Sequence, residues 1–240
     1  MGPETTLRGP VTVLMTRITS YGTCALCGKR TSKAAMTRHL KSCPADHDPS
    51  QERPARLFHL RVEDAYSSIF WLDLEMKAGA TLADLDAFLR EIWLECCGHL
   101  SAFEIEGVTY MVPYAETSLM GDFSDRSMNV KLAEVLDAGT RFYHTYDFGT
   151  STELKLRVVS EREGRIGREP LHILSRNEDP VWTCALCEEP ATQICTFCMY
   201  EQENPFYCEA HAEDHDCEEE MLLPVVNSPR MGTCGYTGPL

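Results

Sequence analysis

The feature that most constrains this fold is a run of eight cysteine and histidine residues near the C-terminal end of the 240-residue chain. The run has the spacing C-x2-C-x7-C-x2-C-x9-C-x2-H-x3-H-x-C. Zinc in structural sites takes four sulfur or nitrogen ligands in a tetrahedron, so eight ligands in four pairs predict two zinc ions. The predicted ligands are Cys184, Cys187, Cys195, Cys198, Cys208, His211, His215 and Cys217.

These ligands allow two pairings. Sequential pairing places the first two pairs on one ion and the last two on the other. Interleaved pairing gives one ion Cys184, Cys187, Cys208 and His211, and the other Cys195, Cys198, His215 and Cys217. We favour the interleaved form, because crossing the chain ties a segment with few core residues into one unit.

The first six ligand spacings resemble the zinc cross-brace of type 1 B-box domains, which also favours the interleaved form. The last ligand departs from that pattern. Cys217 follows His215 after one residue, whereas a longer spacing to a histidine is usual in the B-box. Cys217 is therefore the ligand that the resemblance supports least.

The pentapeptide TCALC opens this run and also occurs at residues 23–27. There it begins a shorter pattern, C-x2-C-x11-H-x3-C, which resembles a two-Cys two-His zinc finger with cysteine as the last ligand. The predicted ligands are Cys24, Cys27, His39 and Cys43, and a variant in which His47 replaces Cys43 remains an alternative. Because the spacings after the two pentapeptides differ, the same turn opens two different modules. The sequence predicts three Zn²⁺ per chain.

Charge is distributed unevenly along the chain. Residues 1–61 contain 10 Lys/Arg and 4 Asp/Glu, residues 62–180 contain 11 and 22, and residues 181–240 contain 1 and 11. Only the first segment is suited to a polyanion, so nucleic-acid binding is predicted through residues 1–61 or not at all. We favour a solvated basic face over nucleic-acid contact for its basic residues, which are Lys29, Arg30, Lys33, Arg38 and Lys41.

Between the two modules, a linker over residues 44–55 leads into alternating apolar segments. LFHLRVED and SIFWLDLEM predict a hairpin, and TLADLDAFLREIWLE predicts a helix whose start, Thr81 with Asp84, resembles a capping box. Further strands are predicted near AFEIEGVTYMV, TRFYHTYDFG, ELKLRVVSE and LHIL, with a short helix at VKLAEVLDAG. The fold class is α+β: a central mixed or antiparallel sheet packed by helices and flanked by two small zinc-binding modules.

This middle segment resembles the plasmid pRiA4b ORF-3-like family. The resemblance is carried by residues 146–149, Tyr-Asp-Phe-Gly after an Ala-Gly-Thr turn, and by His99-Leu100 with Phe103 after the helix. It implies a small α+β fold, without an established biochemical function, in proteins some of which are passengers of mobile elements. Family members commonly continue the motif with an acidic residue and Trp-Glu-His. Here it continues with residues 150–154, Thr-Ser-Thr-Glu-Leu.

No catalytic residue is assigned. Cys96 and Cys97 lie close to His99, as a cysteine nucleophile requires, but they follow the apolar stripe of the helix and are expected to be small core residues. Asp147 and Glu153 are expected to be turn and surface residues rather than a catalytic pair. Histidines on predicted strands, His144 and His172, are expected to be structural.

The predicted organisation has four parts: residues 1–55 with a finger over about 23–44, an α+β domain over 56–180, a two-zinc module over 181–224, and a tail over 225–240. The tail is either docked or flexible, and Cys234 is either a spare thiol or an added ligand. No membrane span, secretory signal or convincing myristoylation site is expected. Nine of the twelve cysteines fall into two clusters with histidines at ligand spacing, which favours zinc and a reducing cytoplasm, and we expect a cytoplasmic prokaryotic protein.

The expected role is non-catalytic recognition of a protein or peptide, as an adaptor. Every predicted ligand set is complete without water, whereas catalytic zinc keeps an open position. Nucleic-acid binding through the basic finger is the alternative, and an enzyme built on the middle domain is a third hypothesis.

Overall fold

The computed structural model describes residues 20–112 and 126–239. The N-terminal residues on which the signal and myristoylation predictions depend lie outside this range. The described chain is a mixed α+β structure with one large, mainly antiparallel sheet and few helices, which confirms the predicted fold class in this coarse form. Among the described helices, none combines the length and the apolar character needed to cross a bilayer.

The strands are β1 (Tyr21–Cys24), β2 (Arg30–Ser32), β3 (Ala55–Asp64), β4 (Trp71–Lys77), β5 (Ser101–Ile105), β6 (Val108–Met111), β7 (Arg126–Ser127), β8 (Arg141–Tyr146), β9 (Thr152–Gly164), β10 (Leu171–Asn177), β11 (Gln193–Cys195), β12 (Phe206–Tyr207) and β13 (Leu222–Pro224). The α-helices are α1 (Lys33–His39), α2 (Leu82–Leu89), α3 (Leu132–Val135), α4 (Cys198–Glu201) and α5 (Glu209–Glu213).

Ten of the described strands form one sheet in the order β2-β1-β10-β4-β3-β9-β8-β5-β6-β7. Its neighbours are antiparallel except for β6 and β7. The two long strands, β3 and β9, pair along almost their whole length at the centre of the sheet. The finger contributes β1 and β2, so this segment is hydrogen-bonded into the same sheet as the middle domain.

Helix α2 covers the apolar face of the sheet. Its capping box is formed: the Thr81 hydroxyl accepts a hydrogen bond from the Asp84 backbone N–H, and the Asp84 carboxylate accepts one from the Thr81 N–H. The helix continues into a π-helical turn over Arg90–Leu94 that buries Trp93 completely. The segment predicted as a helix, residues 81–95, is therefore helical over most of its length. Its apolar stripe packs on the strand residues predicted to face inward: Phe58, Leu60 and Val62.

The opposite face of β3 and β4 is also buried, which simple alternation did not predict. Asp73 on β4 is 0% exposed and accepts hydrogen bonds from His59 Nε2 at 2.8 Å and Arg61 Nε at 2.9 Å. Arg61 also donates to the Thr37 hydroxyl on α1 at 2.7 Å. On the same face, Trp71 packs among the buried residues of the finger. The finger thus covers this face of the sheet and encloses an ionic network there.

The tail over residues 225–239 is docked on the middle domain, which settles the choice left open by its sequence. Ser228 donates to the backbone carbonyl of Trp93 at 2.6 Å. Arg230 is 0% exposed and donates to the Thr152 hydroxyl and to the carboxylate of Asp147. Tyr236 is also buried.

Removal of the buried carboxylate charge tests the role of this network. Burial alone raises the pKa of Asp73, but hydrogen bonds from His59 and Arg61 outweigh burial and hold its pKa below the usual value. Asp73→Asn leaves Arg61 without its buried counter-ion, so the free energy of unfolding is expected to fall by about 3–5 kcal/mol. Urea unfolding of the zinc-loaded protein measures this.

The control is Glu161→Gln, which removes a carboxylate from the exposed ion pair with Arg56 on the same sheet. Exposed pairs contribute at most about 1 kcal/mol, so this variant is expected to unfold close to the wild type. Equal shifts of the urea midpoint in the two variants would contradict a structural role for the Asp73 network.

Candidate metal centres

The finger brings its four predicted ligands together. Cys24 ends β1, Cys27 lies in the following turn, His39 ends α1 and Cys43 begins a 3-10 turn over Cys43–His47. Their ligand atoms all lie within 4.8 Å of one another. The alternative ligand, His47, is not in this group, and its Nδ1 lies 2.8 Å from the Cys43 carbonyl.

The eight C-terminal ligands form two groups that are interleaved along the chain. One contains Cys184, Cys187, Cys208 and His211, and the other Cys195, Cys198, His215 and Cys217. Within each group the ligand atoms again lie within 4.8 Å of one another. The arrangement corresponds to the cross-brace pairing favoured above, and Cys217 lies with the second group.

Short strands and helix ends position these ligands. The sheet β12-β11-β13 carries Cys195 at the end of β11, while Cys208 precedes α5 and His211 lies within it. Trp182 stacks on Phe206 with ring centroids 4.5 Å apart and joins the strand β12 to the start of the module.

The two TCALC segments adopt the same turn. In the first, the Cys24 N–H donates to the Lys29 carbonyl at 3.0 Å, and in the second the Cys184 N–H donates to the Glu189 carbonyl at 2.9 Å. Gly28 completes the first turn with a φ of 73°, a left-handed conformation that glycine adopts without strain. The repeated pentapeptide is therefore one ligand-presenting turn used in two modules.

The ligand spacings fit zinc. A tetrahedral site with Zn–S bonds of about 2.3 Å has sulfur–sulfur edges of about 3.8 Å. The Cys24–Cys43, Cys187–Cys208 and Cys198–Cys217 sulfur distances are all 3.8 Å. All twelve cysteines of the chain lie in the described residues and are free thiols, so the cysteines of these groups are available as metal ligands.

Hydrogen bonds favour the thiolate form of Cys184. Burial opposes ionisation of Cys184, but hydrogen bonds from backbone N–H groups, together with those of Cys187 and His211, outweigh burial and lower its pKa to about 6. The thiolate is the form that binds a metal ion, so a lowered pKa favours this residue as a ligand.

A fourth group was not predicted. Cys96, Cys97, His99 and Cys234 also place their ligand atoms within 4.8 Å of one another. Cys97 is exposed and Cys96 is half-buried, so the expectation that both are core residues is wrong for Cys97 and holds in part for Cys96, which packs at the edge of the core. The spacing of these residues in the sequence does not indicate a common site, because Cys234 approaches the other three residues only through the docked tail.

The other residues considered for catalysis have structural partners. His144 is completely buried and lies 2.7 Å from a carboxylate oxygen of Asp86. Asp147 is at a turn, as expected, but it is buried and pairs with Arg230 at 2.8 Å. Glu153 instead accepts a hydrogen bond from the Tyr66 hydroxyl.

The basic residues of the finger fall into two classes. Two of them are paired with carboxylates of the sheet domain: Arg30 with Glu178 at 2.6 Å, and Lys33 with Glu63. The remaining three are exposed at the surface: Lys29, Arg38 and Lys41. Two of the five residues of the basic face predicted from sequence are therefore engaged in ion pairs within the chain.

Comparison with known proteins identifies the middle of the chain. The family described as plasmid pRiA4b ORF-3-like protein matches residues 57–184, more than half of the sequence. The chain therefore belongs to the plasmid pRiA4b ORF-3-like family. No curated protein matches it.

A solved structure similar to the chain is the protein of unknown function MM3350 from Methanosarcina mazei Go1. The two sequences are 19% identical, with a TM-score of 0.41, and the similarity covers 50% of this chain and 67% of the other.

Cadmium substitution tests the pairing of the C-terminal ligands. The interleaved groups each have three thiolates and one imidazole, as does the finger. Because the cadmium-113 chemical shift reports the number of sulfur ligands, every resonance of the cadmium-loaded protein is expected in the three-thiolate range. Sequential pairing would instead give one four-thiolate and one two-thiolate resonance, and observing these would contradict the assignment.

Proposed function

We propose that this member of the plasmid pRiA4b ORF-3-like family is a zinc-binding, non-catalytic recognition protein whose C-terminal module binds a basic segment of a protein partner. The proposal depends most on one observation, an acidic groove of about 570 Å³ beside the second C-terminal ligand group. Three carboxylates line it, those of Glu209, Glu213 and Glu219, together with the ligands His215 and Cys217.

The charge of the whole module supports a basic partner. Residues 181–224 contain 11 Asp/Glu and no Lys/Arg. Such a surface attracts lysine- and arginine-rich segments and repels nucleic acid. A partner segment of three or four residues with two cations would form ion pairs with the groove carboxylates. No lysine or arginine of the module would compete for these carboxylates.

The module also exposes large apolar side chains that do not line the groove. Leu186, Phe197 and Tyr200 are 65%, 56% and 83% exposed. Aromatic residues that are rigidly held and accessible commonly anchor protein interfaces. Phe197 and Tyr200 flank the ligand Cys198, so binding of zinc would fix the backbone that presents them.

A non-catalytic role agrees with the ligand sets. Each C-terminal group supplies four protein ligands, whereas catalytic zinc sites provide three and leave one position for water or substrate. Zinc in this module would therefore shape the recognition surface rather than act on a bound substrate.

Nucleic-acid binding is a second candidate function, and one feature of the sheet favours it. A groove of about 370 Å³ between α1 and the strands β8 and β9 is lined by four cations and one carboxylate: Arg61, Arg141, Lys155, Arg157 and Glu63. Tyr143 stands at its edge and is 53% exposed. Cations around an accessible aromatic ring form the kind of surface that binds a single strand. The groove lies next to the finger, but three of its four cations lie outside residues 1–61, the only segment in which the sequence predicted nucleic-acid contact. The fourth, Arg61, is already paired with Asp73.

Binding of labelled peptides to the zinc-loaded chain separates the two candidates. A Lys/Arg-rich peptide is expected to bind, and an acidic peptide of the same length is not. Glu213→Gln with Glu219→Gln is expected to weaken binding by about tenfold, which corresponds to about 1.4 kcal/mol. The matched control is Glu201→Gln with Glu203→Gln, which removes the same charge from exposed positions outside the groove and is expected to change the affinity by less than about twofold.

Single-stranded DNA and RNA form the second arm of this experiment. If either binds more tightly than the basic peptide, with a steep salt dependence that Arg141→Gln and Arg157→Gln abolish, the recognition surface is the basic groove and the peptide proposal is wrong. Equal loss of peptide binding in the groove and control variants would also contradict it, because only overall charge would then matter.

A further inference from the structure

The fourth group of cysteine and histidine residues joins two distant parts of the chain. Cys96, Cys97 and His99 lie in the loop after the π-helical turn, and Cys234 lies in the docked tail. Cys97 Sγ is 3.0 Å from His99 Nε2 and 3.8 Å from Cys234 Sγ. His99 Nε2 is 3.3 Å from Cys234 Sγ, and the sulfurs of Cys96 and Cys97 are 3.3 Å apart.

We propose that Cys96, Cys97, His99 and Cys234 bind a further zinc ion, and that this ion fastens the C-terminal tail to the family domain. The donor set is three sulfurs and one nitrogen, the same as in each of the three groups predicted from sequence. The Cys97–Cys234 distance equals the sulfur–sulfur edge of about 3.8 Å expected of a tetrahedral zinc site.

The backbone on both sides is shaped to present these ligands. Gly98 has a φ of 79°, which turns the chain between Cys97 and His99 so that both face the same point. Cys234 has a φ of 50°, a left-handed conformation that is uncommon for a residue with a side chain. An unfavourable backbone conformation at a side chain that completes a ligand set is typical of functional constraint.

Neighbouring charges suit a thiolate-rich site. Three thiolates and one Zn²⁺ carry a formal charge of −1. Arg230, which is 0% exposed, lies with its guanidinium 3.4 Å from the Cys96 sulfur and 2.8 Å from the Asp147 carboxylate. It thus supplies a cation beside the cluster. Asp147 in turn lies 3.4 Å from His99 Nε2.

The geometry favours a metal ion over a nucleophilic cysteine. In a catalytic triad the histidine uses one ring nitrogen for the nucleophile and the other for the carboxylate. Here the same atom, His99 Nε2, faces the sulfurs of Cys97 and Cys234 and also the carboxylate of Asp147. A ring nitrogen that lies close to two sulfurs is typical of residues that share one metal ion.

The zinc content of purified protein tests the site. Native mass spectrometry of the full chain is expected to show four zinc ions in the wild type and three in Cys234→Ser. Thr237→Ala, an exposed change three residues further along the tail, is expected to keep four. Thiol labelling of the folded proteins gives a second count: no reactive cysteine in the wild type, and two, Cys96 and Cys97, in Cys234→Ser.

Three zinc ions in the wild type, with three reactive thiols, would overturn the proposal. Four ions in Cys234→Ser that resist a competing chelator as well as those of the wild type would also overturn the proposal. A Cys97–Cys234 disulfide in protein purified without reductant would overturn it too. Because Cys234 lies in an exposed loop and serine is nearly isosteric with cysteine, failure to fold is not an expected outcome of this variant.

Trypsin tests the fastening of the tail. Arg230 is the only Lys/Arg in residues 181–240 and is completely buried. Cleavage after Arg230, which releases residues 231–240, is expected to be at least about tenfold faster in Cys234→Ser than in the wild type or Thr237→Ala, because local opening controls access to the bond. Equal cleavage rates in the three proteins would show that the tail is held without this ion.

Discussion

Coordination of metal by cysteine and histidine is the interaction on which, in our proposal, the ends of this chain depend. The buried apolar residues of the C-terminal module are Cys184, Ile194, Cys195, Cys198, Tyr207 and Cys208, and four of these six are candidate ligands. So small a core cannot offset the conformational entropy of ordering some forty residues at about 1–2 kcal/mol each. Structural zinc contributes roughly 10–16 kcal/mol in small metal-binding peptides, and we therefore propose metal as the main source of order in this module.

The middle of the chain is stabilised differently. Its main core contains residues of helix α2 and of strands β3, β4, β5, β6, β8 and β9, together with Trp93. Trp71 is buried in a separate cluster, among residues of the finger. The finger closes the face that carries Asp73 and Arg61, and the tail closes the edge near Trp93. The finger and the tail thus pack on a sheet that has its own apolar core.

Sequence reasoning succeeded where a structure is determined locally. The ligand groups opened by Cys24 and Cys184 and the capping box at Thr81 each depend on residues of one continuous segment, and each is formed. For β3, the alternation identified the inward-facing residues Phe58, Leu60 and Val62 but did not show that the other face is buried too. It failed where distant segments meet. Nothing in the local sequence around Asp73 indicates that a finger will bury it, and nothing around Cys97 indicates that Cys234 will approach from the tail.

Hydrogen–deuterium exchange of the full chain, with zinc bound and after complete removal by a chelator, tests most directly whether metal orders the ends while apolar packing orders the centre. The account predicts that amide protection is lost over residues 181–224 and reduced around the finger ligands, while β3, β4 and β9 remain protected. Retention of protection over residues 181–224 in the metal-free protein would contradict it, because packing of the side chains alone would then be sufficient to hold the module.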